Sequence, residues 1–154
     1  MKNKYLLFIL IILNSLICKS TFADQFNFQT SDIKVINDGN LIIAGEGTAT
    51  SQDDNYEIQA KKFEYSKNLK LLIAYDGTLF VKTDNIIIKF GEIKLDKEKN
   101  TFTAKENIKI SDIKNEVLIE TDEISYNEKL KLLSSKTKSS LRDESQNILT
   151  TEKF

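Results

Sequence analysis

Histidine and proline are absent from the 154 residues, and cysteine occurs once, as Cys18. Those absences exclude much chemistry. Nucleophilic triads lack their usual base, and the common transition-metal sites lack imidazole and thiolate ligands. No proline-rich or Gly/Ser-rich stretch divides the chain, so nothing in it reads as a linker. Carboxylates and serines are plentiful, but they fall at turns and at the polar positions of alternating stretches. No spacing marks out an acid/base pair. Asp53-Asp54-Asn55 offers oxygens to a hard cation, yet it lacks the EF-hand spacing and the bidentate Glu, and reads as an acidic loop. The expectation is a non-enzyme with no cofactor and no metal.

The first residues read as a targeting segment. Lys2 and Lys4 supply a charged start, Tyr5 to Ile17 an apolar run, and Thr21-Phe22-Ala23 an A-x-A-like cleavage site. This is the layout of a secretory signal peptide over residues 1–23, cut after Ala23. As a membrane anchor the 13-residue apolar run is short, because a spanning helix needs about 20 residues. A lipobox wants a small residue before the cysteine, and Ile17 stands before Cys18. The remaining domain, residues 24–154, therefore has no thiol and forms no disulfide. Lys2, Lys4 and Lys19 leave with the leader, so 19 of the 22 basic residues face 23 acidic ones, a net charge of −4. Without a basic stripe, nucleic acid is not an expected partner.

What the chain does have is a repeat. Ile33, Phe63, Ile93, Ile124 and Phe154 are separated by steps of 30, 30, 31 and 30 residues. Val35, Tyr65, Leu95 and Tyr126 keep step, as do Ala44, Ala74, Ala104 and Ser135, and Gly47, Gly77, Asn107 and Lys138. The clearest copy is Tyr56 to Thr83. Its alternation begins on Tyr56, Ile58 and Ala60, then slips by one residue to Phe63 and Tyr65. After the polar turn Ser66-Lys67-Asn68 a second apolar run, Leu69 to Ala74, leads to Asp76-Gly77, and alternation resumes with Thr78 and Phe80. A one-residue slip turns side chains to the opposite face unless the strand bulges or bends. The slip recurs in each copy, which predicts a bend repeated from strand to strand.

Phe26 to Ile36 reads as the first kinked strand, turned at Asn37-Asp38-Gly39-Asn40, where glycine accepts positive φ freely. Leu41 to Ala44 returns, Gly45-Glu46-Gly47 makes a corner, and Thr48 to Ser51 follows. A third copy spans Ile86 to Ile110 with a turn at Asp96 to Asn100, and a fourth spans Glu116 to Leu141. Its Ser- and Lys-rich return, Leu132 to Ser140, reads as an edge strand by alignment with the earlier copies. Ile148 to Phe154 opens a fifth copy, which implies either a longer protein or an open edge.

The apolar interior predicted from the alternation contains Ile58, Phe63, Tyr65, Leu72, Phe80, Ile88, Ile93, Leu95, Phe102, Ile108 and Ile110. Two readings fit these residues. They fill the space between sheets, or the sheets diverge and the interior takes lipid. Tyr65 and Tyr126 have the same two readings, cavity lining or cross-strand packing. Lys61-Lys62, at the register slip, reads as a solvated bulge or as a contact for an acidic headgroup.

Units such as IQAKKFEYSKNLKLLIAYDGTLFVKT and IKFGEIKLDKEKNTFTAKENIKISD resemble the OstA-like family of lipopolysaccharide-transport proteins. The shared features are Ile58-Gln59-Ala60, Phe63-Glu64-Tyr65, and Leu72-Ile73-Ala74 followed by Gly77, and the resemblance covers Phe26 to Phe154. Asn107 and Lys138 depart from it by replacing the glycine. The resemblance implies an antiparallel β-jelly roll, twisted and open along one seam. It further implies a periplasmic or outer-membrane-associated carrier with lipopolysaccharide acyl chains in its groove, joined edge to edge to other jelly rolls. Two family architectures fit, the N-terminal periplasmic domain of the outer-membrane assembly protein and the soluble bridge. From another functional class, a dry repeat-built scaffold or adhesin fits the strand pattern, and a periplasmic carbohydrate-active enzyme is a more distant reading.

Overall fold

A computed structural model describes residues 25–154, so the leader and its cleavage site lie outside the described residues. All regular structure among the described residues is strand: β1 Phe26–Thr30, β2 Ile33–Ile36, β3 Leu41–Ala44, β4 Gly47–Ser51, β5 Tyr56–Ser66, β6 Leu71–Val81, β7 Ile86–Asp96, β8 Thr101–Asp112, β9 Val117–Asn127, β10 Leu132–Ser134, β11 Ser139–Arg142 and β12 Ile148–Thr151. They form one antiparallel sheet in the order β1-β4-β5-β6-β7-β8-β9-β11-β12, with β2 paired to β3, β3 to β5, and β10 to β9. The five central strands are long and bend halfway. The first kinked strand of the sequence reading is instead two short ones, β1 and β2, interrupted at Ser31 and Asp32.

The bend explains the slip in alternation. Tyr56, Ile58 and Ala60 face inward before it, and Phe63 and Tyr65 after it. The partner strand β6 changes face on the same rung, with Leu72 and Ala74 inward on one side and Leu79 and Val81 on the other. Strands β6 and β8 make the change with left-handed residues, Asp76 at φ 51° and Glu106 and Asn107 at φ 68° and 54°. In β8 the extra residue is a bulge against both neighbours, between Lys105 and Ile108 and opposite Lys89 and Glu92. The expected inward Phe80 is thus corrected. Its strand has already changed face at Asp76, so Phe80 pairs on the outer face with Glu57 and Ile87, while Leu79 is fully buried.

Small residues sit where the bend brings backbones together. Ala60 lies between Gly47 on one side and Gly77 on the other. A Cβ on Gly77 would stand 2.2 Å from the Gln59 carbonyl oxygen, and one on Gly47 2.2 Å from that of Gln29. One rung further, large and small side chains alternate across the sheet: Ala44, Phe63, Ala74, Ile93, Ala104, Ile124. The alanines leave room for their neighbours, which is how a curved sheet fills its concave side without overpacking.

Turns keep the arms in register. The turns after β5, β6, β7, β8 and β9 each end on a left-handed residue, Lys70, Asn85, Asn100, Glu116 and Lys131. On one arm each turn bonds to the turn before it: Lys67 N–H donates to Asn40 O at 2.9 Å, Lys97 N–H to Lys70 O at 3.1 Å, and Glu128 N–H to Asn100 O at 2.9 Å. The predicted return strand Leu132 to Ser140 is broken into β10 and β11, both paired to β9. A knot of hydroxyls occupies the break. Thr121 Oγ1 lies 3.0 Å from Ser135 Oγ, 2.9 Å from Thr137 Oγ1 and 2.9 Å from Ser139 Oγ. Phe154 closes the chain by exchanging backbone hydrogen bonds with Ser135 at 2.9 and 3.1 Å.

Candidate functional site

The interior between the two arms differs along its length. At the N-terminal end β1 lays its aromatic rings on β5. Phe26 meets Tyr65 edge-on at 5.5 Å between centroids, and Phe28 meets Phe63 at 5.7 Å and Tyr65 at 6.0 Å. The Tyr65 hydroxyl accepts a hydrogen bond from Gln25 N–H at 3.2 Å, which satisfies its polar tip. This end is filled.

Beyond it the arms diverge. Val81, Ile86, Ile88 and Ile110 from one arm face Phe102, Tyr126 and Leu133 from the other across a cavity of about 180 Å³. Asn55, Asp84, Glu128 and Lys131 form its polar rim, and the cavity opens along the seam between the arms. Further along, Ile119, Leu141, Leu149 and Phe154 line a second apolar hollow of about 250 Å³. The C-terminal edge also exposes Leu132, Ile148 and Leu149, and the N-terminal edge exposes Ile33 and Val35.

A polar cluster crosses the seam between the filled and open parts. The Tyr56 hydroxyl donates to Glu128 Oε1 at 2.5 Å. Lys97 Nζ sits 4.2 Å from the centre of the Tyr56 ring, 3.6 Å from Asp53 Oδ2 and 3.8 Å from Glu128 Oε1. Ser51, itself buried, donates its hydroxyl to Asp53 and accepts the Tyr56 N–H at 2.9 Å. Burial and the facing Glu128 raise the Tyr56 pKa far above that of a free tyrosine, so its proton stays on the phenol. Burial pushes the Asp53 pKa up, but hydrogen bonds from Ser51 and the Asn55 N–H, with the charge of Lys97, hold it below the ordinary carboxylate value.

Of the eleven interior residues anticipated from sequence, all but Phe80 are buried. The structure brings only Ile88, Phe102 and Ile110 of them to the open cavity. Ile58, Phe63, Tyr65, Leu72, Ile93, Leu95 and Ile108 lie in the packed core. The two tyrosines divide accordingly: Tyr65 packs, whereas Tyr126 lines the cavity and stacks at 5.1 Å on Phe102. Val81, Ile86 and Leu133 also line the cavity and lie outside the anticipated set, although the first two follow from continuing the strand parity past the bend. Lys61 and Lys62 are exposed on the outer face, paired with Asp76 at 3.3 Å and Glu64 at 2.6 Å. Among the described residues no group of three or more acidic, His or Cys side chains is placed to hold a metal. Asp53 faces Lys97, and Asp54 pairs with Lys82 at 2.6 Å.

A single bent antiparallel sheet with an apolar concave side and one open seam defines an open β-jelly roll. No protein-family model matches the chain, and no curated protein matches its sequence. Among solved structures it is similar to the crystal structure of LptH, the LptA-homologous periplasmic component of the conserved lipopolysaccharide transport device from Pseudomonas aeruginosa. The TM-score is 0.61 at 10% sequence identity, over 84% of this chain and 97% of that one. At that identity the likeness shows the fold, an LptA-like jelly roll.

Proposed function

We propose that this protein is a periplasmic component of lipopolysaccharide transport that holds acyl chains in its seam-side cavity and joins other jelly rolls edge to edge. The observation that carries the reading is the open seam. It gives an apolar interior, lined by Ile88, Phe102, Ile110 and Tyr126, a lateral connection to solvent. A chain inserted there gains about 0.8 kcal/mol per methylene buried, which retains a lipid without a basic clamp on its headgroup. The net negative charge of residues 24–154 is therefore compatible with the role. Similarity to a solved periplasmic transport component supports it, and so does the leader-like segment 1–23. Both free edges carry unpaired backbone groups beside exposed apolar side chains, Ile33 and Val35 at one and Ile148 and Leu149 at the other. Such edges accept another strand.

The filled N-terminal end is what a dry scaffold would show throughout, so the test must separate the two. A photo-crosslinker placed in turn at Ile88 and Phe102 is expected to capture lipopolysaccharide in cells, whereas one at the outward Lys89 and Thr103 captures little. Equal capture by both sets, or none at the inward pair of a folded protein, rejects the carrier. Sedimentation across a concentration series is expected to show head-to-tail oligomers, and a strict monomer at high concentration rejects edge pairing.

A further inference from the structure

The interior is not one continuous channel. Tyr56 and Asp53 belong to the start of β5 and the turn before it, on one arm, while Lys97 and Glu128 belong to the turns that end β7 and β9 on the other. Their contacts tie arm to arm across the seam, at 2.5 Å for Tyr56–Glu128 and 3.6 Å for Lys97–Asp53. Building on the lipid-carrier reading, we infer that this cluster is a clasp that ends the lipid-accessible compartment. Acyl chains enter sideways beyond it, between Asp84 and Lys131, and load only the C-terminal part of the interior.

Three observations carry this. The cavity starts where the clasp stops, since Tyr56 and Glu128 are themselves part of its lining. On the far side of the clasp the space is taken by Phe26, Phe28, Phe63 and Tyr65, which leaves a chain nowhere to continue. The centre of the clasp is tight: Tyr56 is only 3% exposed and the Lys97 side chain 11%, so the lysine charge is covered by the Tyr56 ring and two carboxylates, of which Asp53 faces solvent. Lys97 and Tyr56 are then positioning residues that fix how deep a chain reaches. The cavity volume sets the scale. An apolar cavity of about 150 Å³ accepts one benzene, so the roughly 180 Å³ here takes a chain end of about six or seven carbons. The rest of the chain lies along the open seam towards Leu133.

The experiment uses the folded protein and purified lipopolysaccharide, with p-benzoylphenylalanine introduced singly at Leu133, Ile110, Ile58 or Phe28. Capture at Leu133 and Ile110 is expected to exceed that at Ile58 and Phe28 by about tenfold or more, the ratio set by burying about two further methylenes. In the paired variant Lys97→Met with Glu128→Gln, capture at Ile58 is expected to rise several-fold while Leu133 is unchanged. If that pair does not fold, as judged by its melting curve, Tyr56→Phe removes the hydroxyl alone and gives the same readout. Capture at Ile58 and Phe28 equal to that at Ile110 in the unmodified clasp overturns the boundary and leaves the carrier reading standing. An unchanged pattern in folded clasp variants overturns the role of the clasp. No capture at any interior position overturns the carrier reading, and the boundary with it.

Discussion

The two ends of the interior are built from the same repeat and reach opposite outcomes. Tyr65 and Tyr126 occupy equivalent positions on equivalent strands, each facing the concave side. Over Tyr65 the opposite arm brings Phe26 and Phe28, and the rings close the space. Around Tyr126 the opposite arm brings Ile88 and Ile110, and about 180 Å³ stays empty. The backbone path is repeated, but the volume of the facing side chain decides whether the rung is solid or hollow. A second substitution reinforces the contrast. The alanine of the earlier repeats becomes Ser135, and with Thr121, Thr137 and Ser139 it makes a polar knot where the first three repeats have apolar packing. A repeat protein thus places a hollow by changing side-chain size in some copies and leaving the rest as a rigid frame.

The largest expected effect tests that frame. Phe63→Ala removes a fully buried ring that Phe28 and the neighbouring alanines cannot replace, and is expected to cost about 3–5 kcal/mol. Phe102→Ala removes a ring that already borders the cavity, so fewer contacts are lost and the cost is expected at the low end of that range, about 3 kcal/mol. Urea unfolding of the two variants checks the difference. Equal losses would mean that the C-terminal interior is packed as tightly as the N-terminal one.

Much of this frame is legible in the chain itself. The thirty-residue step, the parity slip and the turn residues foretell long bent antiparallel strands, because each is a local constraint on backbone direction. Phe80 fails for an instructive reason. Paired strands must bend on the same rung, so the slip of β5 recurs in β6 at Asp76, and alternation resumes there on Leu79 and Val81 and not on Thr78 and Phe80. The clasp was not legible. Lys67, Lys97 and Glu128 stand at equivalent turn positions, yet nothing local says that Lys97 will lie over Tyr56. That contact depends on how far the sheet twists before one arm covers the other, a property of the whole fold. The break at Lys136 was hidden likewise, because hydroxyl-rich sequence suits an edge strand and a bonded turn alike.

The hydroxyl knot gives the intermediate effect. Thr121→Val keeps the shape and removes the group that Ser135, Thr137 and Ser139 all approach within 3.0 Å. Ser135 and Ser139 keep their bonds to the Thr137 carbonyl, at 3.2 and 3.0 Å, so the cost is that of the lost hydroxyl bonds, about 0.5–1.5 kcal/mol. The loss should fall on β10, β11 and β12, visible as faster amide exchange at Leu141 and Leu149 with Phe63 unaffected. Uniform loss of protection across both ends would show that the knot supports the whole sheet and not the open end alone.

The smallest effect is that of acid, and it also separates the two regions. Asp53 in the clasp and Asp143 in the turn between β11 and β12 both titrate below the ordinary carboxylate value of 3.8. For Asp53, burial opposes the shift, and the Ser51 hydroxyl, the Asn55 N–H and Lys97 outweigh it. For Asp143 the side chain and N–H of Asn147 hold the charged form, each at 2.9 Å. A folded-state pKa below the unfolded one contributes stability above pH 3.8, and that contribution is lost as pH falls through the lowered value. Asp53 is exposed and Asp143 only half-buried, so the loss is slight and confined to their surroundings. Asp143 lies away from the aromatic end of the core, and Asp53 meets that end only through the clasp. Lowering the pH from 5 towards 2 is therefore expected to perturb the NMR signals of Tyr56 and Leu149 before those of Phe63. Asp143→Asn should remove the change at Leu149 and keep that at Tyr56, while Asp53→Asn does the reverse. Simultaneous loss of all three signals in every variant would show that acid unfolds the sheet as one unit, and that its two ends do not differ in stability.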